Sequence, residues 1–182
     1  MQILYHCNYG SPFLEDGSKL IAPIRRVAPY NSTAAEGIDS FDTFGPPESG
    51  FVEQVCIMEL LADSKGITKV ALTNKDETKA VSVSFLLREL PCFTLWKNTA
   101  ALEDGYVAGL EPGTSFPNPK PFERERKRVV NLKPNEKYHS EVILSVHLSK
   151  EEVLAVSREI ERIRGKTKPV VFRKPVGDFS PV

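Results

Sequence analysis

The strongest constraint on the fold of this chain is a succession of short segments in which apolar and polar residues alternate. In residues 78–87, Val81, Val83 and Phe85 face one way, while Ser82 and Ser84 face the other. Alternation with a period of two is typical of β-strands that have one buried face. Further strands are predicted in residues 3–8, 20–24, 51–62, 67–74, 92–98, 106–110 and 137–148. The sequence therefore predicts a mostly β protein, an antiparallel β-sandwich.

Patterns within these segments predict which faces are covered. Residues 67–74 and 78–87 are expected to form a hairpin around residues 74–77, with the serine face of its second arm in solvent. Residues 137–148 are expected to bury one apolar face, which consists of Tyr138, Val142, Leu144, Val146 and Leu148. A strand that begins at the third residue suggests missing neighbours. We therefore expect an exposed apolar edge along residues 3–7, and self-association through it.

One short, late α-helix is well signalled. Ser149 is a predicted N-cap, and Glu152 three residues later completes a capping box. Val153, Val156, Ile160 and Ile163 then recur at helical spacing, and Gly165 ends the pattern. Residues 166–182 contain three prolines and are predicted to be a loose tail. The expected organisation is thus one domain over residues 1–165, followed by that tail.

Composition excludes several classes of function. The chain of 182 residues has 24 basic and 24 acidic residues, so charge does not favour nucleic acid or a membrane surface as a partner. Three widely spaced cysteines indicate reduced thiols, as in the cytoplasm, and no zinc motif. No signal peptide or membrane-spanning run is visible.

Glu111 is the carboxylate whose sequence neighbours most favour a functional site. On a strand, Val107, Gly109 and Glu111 share one face, and Gly109 leaves no side chain beside the carboxylate. Pro112 favours an extended conformation for Glu111, and the following proline-rich stretch is expected to be a stiff loop. The simpler interpretation is a solvated glutamate before a turn.

The segment Gly-Leu-Glu-Pro-Gly-Thr-Ser-Phe-Pro-Asn-Pro at residues 109–119 resembles the strand and loop of the galactose mutarotase (aldose 1-epimerase) superfamily, particularly its aldose-1-epimerase-like branch. His6-Cys7-Asn8 resembles the family's His-x-Asn strand, which lies in mid-chain in full-length members. The resemblance implies the C-terminal portion of a mutarotase-like supersandwich. It also implies that Glu111 is the catalytic base and His6 the acid, with no cofactor.

Four further residues are candidate sugar ligands. Asn8 lies on the face of His6, and Trp96 falls in the strand that precedes the glutamate strand. Residues 50–54 fall where mutarotases carry Gly-aromatic-Asp-His, so Glu53 and Gln54 are candidates, although both differ from that pattern. For each of these residues, and for His6, an ordinary structural role remains the alternative.

Two charged groups are expected to have no catalytic role. Arg124, Arg126 and Arg128 share a face, and we interpret them as a solvated connector, with an anion site as the minority alternative. His139 and His147 are too far apart along one strand to hold a metal ion together.

The leading prediction is a carbohydrate-binding, aldose 1-epimerase-like isomerase of carbohydrate metabolism that acts on a small sugar. The alternatives are a non-catalytic sugar-recognition module and an inactive truncated fragment. The resemblance places the superfamily's sugar-binding arginine and second histidine upstream of the segment that His6 matches. We therefore expect weak or no turnover from these residues alone.

Overall fold

The computed structural model of the chain describes residues 1–181. Its strands are β1 (Cys7–Gly10), β2 (Lys19–Ile21), β3 (Ile24–Pro29), β4 (Gln54–Leu60), β5 (Ile67–Thr73), β6 (Ala80–Leu86), β7 (Cys92–Asn98), β8 (Val107–Gly113), β9 (Val142–His147) and β10 (Val170–Val171). The α-helices are α1 (Ser32–Glu36), α2 (Lys120–Glu125) and α3 (Lys150–Arg164). No helix in this described part is long and apolar enough to cross a membrane.

The strands form two sheets that pack face to face. The six-stranded sheet has the order β1-β8-β7-β4-β3-β10, and the four-stranded sheet has the order β2-β5-β6-β9. Every pairing is antiparallel except that of β10 with β3. Side chains from both sheets, such as Leu95 and Leu110 from one and Leu72 and Val83 from the other, share one buried core. The predicted mostly β sandwich is confirmed.

Helix α3 follows the predicted signals closely. The side chain of Ser149 accepts a hydrogen bond from the Glu152 backbone N–H, and Gly165 ends the helix. The Glu152 carboxylate accepts from the N–H of Leu148, one residue before the expected partner. Helices α1 and α2 have only five and six residues, too few for helical periodicity to reveal them.

Two segments depart from the predicted strand bounds. The strand expected over residues 3–8 begins at Cys7, although Leu4 already bridges to Gly113. The strand expected over residues 20–24 is in fact β2 and β3, which belong to different sheets. Pro23 lies between them, and it has no N–H with which to continue a ladder.

The face of Ser82 and Ser84 is buried, so the prediction of a solvated face is wrong. Helix α3 lies against the outer side of this sheet, where Val156 and Ile160 pack on Ala71, the cross-strand neighbour of Ser82. Alternation had separated the two faces of the strand correctly. It could not show that a helix covers the more polar one.

The opposite error occurs in β9, because its predicted apolar face is largely exposed. Leu144, Val146 and Leu148 are 60%, 67% and 71% exposed, whereas Val142 packs against the core. The physical reason is position, because β9 is the last strand of its sheet.

The C-terminal residues pack against the outer face of the six-stranded sheet, so the expected loose tail is wrong over the described residues. Phe179 is 1% exposed and shares a cluster with Ile57 and Phe116. Arg126 and Arg128 donate hydrogen bonds to the carbonyl oxygens of Gly177 and Asp178. These arginines therefore fasten the tail and do not form a solvated connector.

We predict that Phe179→Ala lowers the free energy of unfolding by about 3–5 kcal/mol, because it removes a fully buried aromatic ring. Lys174→Ala, an exposed position in the same segment, is the control and is expected to change little. Urea denaturation measures both. Equal, small effects would mean that the tail does not contribute to the folded core.

Candidate active site

Strand register brings four of the predicted residues to one face at the β1 side of the six-stranded sheet. Gly109 on β8 lies opposite Asn8 on β1 and Trp96 on β7. Glu111, two residues further along β8, lies on the same face, and so does His6, two residues before Asn8. The strands themselves therefore place an imidazole, an amide and an indole around Glu111.

His6 and Glu111 are in direct contact. The His6 Nε2 atom lies 2.9 Å from the Glu111 Oε1 atom. The His6 side chain is 46% exposed, whereas that of Glu111 is only 4% exposed. The predicted approach of these two residues, which are distant in sequence, is therefore observed.

Asn8 fixes the orientation of the imidazole. Its Oδ1 atom lies 2.6 Å from His6 Nδ1, and a carbonyl oxygen only accepts hydrogen bonds, so Nδ1 carries a hydrogen. Nε2 is then the ring nitrogen that lies next to Glu111 and can exchange a proton with it. The pair can hold one shared proton, either as a neutral carboxyl and imidazole or as a carboxylate and imidazolium.

The pKa of Glu111 is raised to about 7, chiefly because burial disfavours the charged carboxylate. His6 opposes this effect by attraction, and Glu53 reinforces it by repulsion. Among the described residues, Glu111 Oε1 has no aligned hydrogen-bond donor, and the buried hydroxyl of the opposite residue, Thr94, also has no partner. A carboxyl that titrates near neutrality suits general acid–base chemistry.

Trp96 and Glu53 form a second pair beside the first. The indole N–H of Trp96 donates a 2.7 Å hydrogen bond to Glu53 Oε2, and the indole ring meets the His6 ring edge-on at 5.3 Å. Trp96 is half-buried on the outer face and lies outside the core between the sheets. The bond holds the Glu53 carboxylate close to the site, where it acts on the pKa of Glu111.

Gly109 provides the space that the carboxylate occupies. A Cβ atom at this position would lie 2.5 Å from Glu111 Oε1 and 3.1 Å from the Trp96 Cβ. The prediction that Gly109 leaves a gap beside Glu111 is confirmed, and the carboxylate itself fills that gap.

Gln54 does not join this group. It pairs with Lys97, whose side chain lies on the opposite face of the sheet from Trp96. Its amide donates a 3.4 Å hydrogen bond to the Thr33 carbonyl oxygen, and its side chain borders a separate cavity of about 340 Å³. Adjacent strand residues point to opposite sides, so Glu53 and Gln54 do not serve one site.

The remaining charged candidates have structural partners. The Arg128 guanidinium makes two 2.6 Å hydrogen bonds to the fully buried Glu123, and the Arg126 guanidinium stacks on Phe122. These contacts leave no anion site of three free arginines. Within residues 1–181, no group of three or more His, Cys, Asp or Glu side chains could hold a metal ion.

Thr94 was not identified from the sequence. It is recognised only from the strand register of the structure, in which Thr94 on β7 lies directly opposite Glu111 on β8.

We predict that Gly109→Ala lowers the free energy of unfolding by about 1–3 kcal/mol, since the new methyl group must displace Glu111 or Trp96. Gly45→Ala is the matched control, because a Cβ there would meet nothing within 4 Å. Thermal or urea unfolding of both variants tests this. A neutral Gly109→Ala would show that the carboxylate is not confined.

We also predict that Glu111→Gln stabilises the chain more at pH 8 than at pH 5. The folded-state pKa of about 7 lies above the ordinary value of 4.5, so the folded chain binds more protons between these values. Wild-type stability therefore falls as the pH rises through this window, and the glutamine variant lacks that loss. The stabilising effect of Glu111→Gln, measured by urea denaturation, is expected to be about 1–3 kcal/mol larger at pH 8 than at pH 5.

Glu125→Gln, at an exposed carboxylate, is the control and is expected to show little pH dependence of this kind. An effect of Glu111→Gln that does not vary with pH would contradict the raised pKa.

Comparisons with known proteins agree with this architecture. The family model described as Domain of unknown function (DUF4432) matches residues 1–146. A search of curated proteins gives no match. A crystal structure described as that of a "putative aldose 1-epimerase" from Klebsiella pneumoniae matches with a TM-score of 0.93 and 38% sequence identity. The match covers 96% of this chain and 46% of that one, so this chain spans less than half the length of the Klebsiella protein. The chain belongs to the DUF4432 family, and its fold is aldose-epimerase-like.

Proposed function

We propose that this chain carries the acid–base pair of an aldose 1-epimerase-like reaction, the interconversion of the two anomers of a small sugar. The observation that supports this most is the 2.9 Å contact between His6 Nε2 and the buried Glu111 Oε1. The reaction needs one group that accepts a proton and one that donates a proton at neighbouring oxygens, and this pair supplies both.

In the proposed mechanism, the ionised pair binds the closed sugar. The Glu111 carboxylate removes the proton of the anomeric hydroxyl, while the His6 imidazolium donates its proton to the ring oxygen. The bond between C1 and the ring oxygen breaks, and C1 becomes an aldehyde carbon. After rotation about the C1–C2 bond, the same two proton transfers run in reverse and close the ring on the other face. Atoms and protons balance, and no cofactor takes part in these steps.

The neighbouring residues have supporting roles in this proposal. Asn8 positions His6 by keeping the hydrogen on Nδ1, so that Nε2 handles the transferred proton. Trp96 offers apolar ring surface to the C–H face of a sugar, and Glu53 accepts the indole hydrogen bond and raises the pKa of Glu111.

Charge favours a neutral sugar as the substrate. Of the five side chains brought together, two are carboxylates and one is an imidazole, so an added phosphate or carboxylate group would meet net negative charge. The three free thiols, two of them buried, favour a reducing compartment such as the cytoplasm.

This chain spans 46% of the Klebsiella chain, so the test compares variants of the 182-residue chain with one another. Exchange NMR of a neutral aldose measures the rate of anomer interconversion above the uncatalysed background. Glu111→Gln is expected to lower that excess rate by roughly 10²-fold or more, because it removes the base and keeps the shape. His6→Ala is expected to have a similar or smaller effect, and Glu125→Gln none.

Binding measured on the same variants separates an enzyme from a recognition module. In an epimerase, Glu111→Gln retains sugar binding, whereas Trp96→Ala weakens it, because ring contact acts on substrate and transition state alike. If no variant changes a rate and Glu111→Gln abolishes binding, Glu111 is a ligand for sugar hydroxyls and the epimerase proposal fails.

A further inference from the structure

We propose that Thr94 is a positioning residue for Glu111. Its hydroxyl donates a hydrogen bond to the ionised Glu111 carboxylate, favours that charged form and fixes its orientation. The pairing is a property of the folded chain, and only its effect on a reaction rate rests on the proposed function. Strand register, burial and the chemistry of the surrounding side chains support it.

His6, Glu111 and Thr94 form one row across three neighbouring strands. Thr94 on β7 lies directly opposite Glu111 on β8. On the other side of β8, the register that pairs Cys7 with Leu110 sets His6 opposite Glu111. Side chains directly opposite one another on one face of a sheet have Cβ atoms about 5 Å apart. The Thr94 hydroxyl, one bond from its Cβ, can therefore reach the carboxyl group by side-chain rotation alone.

The two polar atoms are buried by this chain itself. Thr94 is 1% exposed and Glu111 is 3% exposed. Among the described residues, neither the Thr94 Oγ1 atom nor the Glu111 Oε1 atom has an aligned hydrogen-bond partner. A buried polar atom without a partner costs free energy, so each of these atoms favours the nearest partner that it can reach. Their burial does not depend on what covers the edges of the sheet.

Glu111 offers the best acceptor next to the Thr94 hydroxyl. The other nearest neighbours on this face are Ile57, opposite on β4, and Cys92 and Trp96 along β7. Burial raises the pKa of the Cys92 thiol to about 12, so it is a neutral and weak acceptor, and an indole only donates. The Glu59 carboxylate, two residues along β4 from Ile57, is already paired with Arg26.

Several groups act on the charge of the Glu111 carboxyl. Burial and the Glu53 carboxylate raise its pKa, whereas His6 lowers it. The pKa of the Cys7 thiol is raised by burial and by Glu111, so this thiol stays neutral. A hydrogen bond from Thr94 stabilises the carboxylate and lowers the pKa of Glu111. An ionised carboxylate has acceptor positions for an imidazole, a hydroxyl and a substrate at the same time.

The alternative is that Thr94 is only a β-branched strand residue whose hydroxyl has no role. Thr68 on β5 is the matched case, because it is also buried with an unpartnered hydroxyl but lies opposite Phe85, which has no acceptor. Replacing threonine with valine removes the hydroxyl and keeps the shape of the side chain. The two variants Thr94→Val and Thr68→Val therefore separate the two interpretations.

The first measurement is the pH titration of the Glu111 carboxyl carbon by NMR, whose signal is the one that Glu111→Gln removes. We expect Thr94→Val to raise the apparent pKa by about one unit, a tenfold change in proton affinity, because the carboxylate loses a donor. Thr94→Ser keeps the hydroxyl and is expected to restore the wild-type value. Thr68→Val is expected to leave it unchanged.

The wild-type chain gives a second readout that needs no variant. As Glu111 ionises, the hydrogen bond from Thr94 shortens, so the NMR signal of the Thr94 hydroxyl proton is expected to move downfield with the same apparent pKa. The Thr68 hydroxyl proton is expected not to follow that titration.

The third measurement is the pH profile of the excess rate of anomer interconversion. Thr94→Val is expected to shift the acidic limb of this profile to higher pH by about one unit, which lowers the rate on that limb about tenfold. KM is expected to change little, because the hydroxyl acts through Glu111 and does not touch the sugar. Thr94→Ser is expected to restore the profile.

An apparent pKa of Glu111 that Thr94→Val leaves unchanged or lowers overturns the proposal. So does a shift that Thr94→Ser or Thr68→Val reproduces in full, or a Thr94 hydroxyl signal that does not respond to Glu111. If the titrations behave as expected and the wild-type chain shows no excess rate, the pairing of Thr94 with Glu111 stands and the proposed epimerase function fails.

Discussion

The chemistry of the contact between His6 and Glu111 depends on the burial of the Glu111 carboxyl group, whose side chain is almost inaccessible to water. Burial by itself disfavours the charged form, and the adjacent imidazole restores part of the lost stabilisation. The balance leaves Glu111 with a pKa of about 7, so neither protonation state is strongly preferred near neutrality. Strand β8 makes this possible, because it is flanked by β1 and β7 and has Gly109 where a side chain would fill the space.

A second buried carboxylate holds the loop that follows β8. Glu123 is fully buried and accepts hydrogen bonds from Arg128, from the Asn118 side chain at 2.7 Å and from the Phe116 backbone N–H at 3.2 Å. Asn118 also donates to the Phe179 carbonyl oxygen, which connects the loop to the C-terminal tail. The two carboxylates thus have opposite environments. Glu123 is saturated with donors and is structural, whereas Glu111 Oε1 has no aligned donor and is available for proton transfer.

The sequence was most informative where a pattern is local. The hairpin β5–β6, the bounds of β7 and the cap of α3 follow from alternation and capping alone. Alternation could not show what covers each face, which depends on elements distant in sequence. This is why the expectations for the serine face of β6 and for the apolar face of β9 failed in opposite directions. The tail was misjudged for the same reason, because Phe179 packs on strands formed more than eighty residues earlier.

The candidate site was predictable in part for a different reason. His6 and Glu111 came from a resemblance, and strand geometry then explains how two such distant residues meet. One of Glu53 and Gln54 could have been excluded from the sequence, since they are neighbours and a strand cannot present both to one ligand. The structure shows that Gln54 is the one on the other face. Thr94 could not have been found, because only the pairing of β7 with β8 reveals it.

The candidate site lies at the β1 edge of the six-stranded sheet, so its chemistry depends on the groups that cover this edge. His6 is nearly half exposed, so water still screens its interaction with Glu111 on one flank. Any polypeptide that covers the exposed flank of His6 removes some of that water and lowers the local dielectric constant. The attraction between the carboxylate and the imidazolium then strengthens, while the cost of holding both charges rises. Which effect prevails depends on whether the covering surface brings polar groups to the exposed flank of His6. A purely apolar cover would favour the neutral pair and slow proton transfer, whereas hydrogen-bond donors or acceptors there would preserve the ionised pair that the reaction needs.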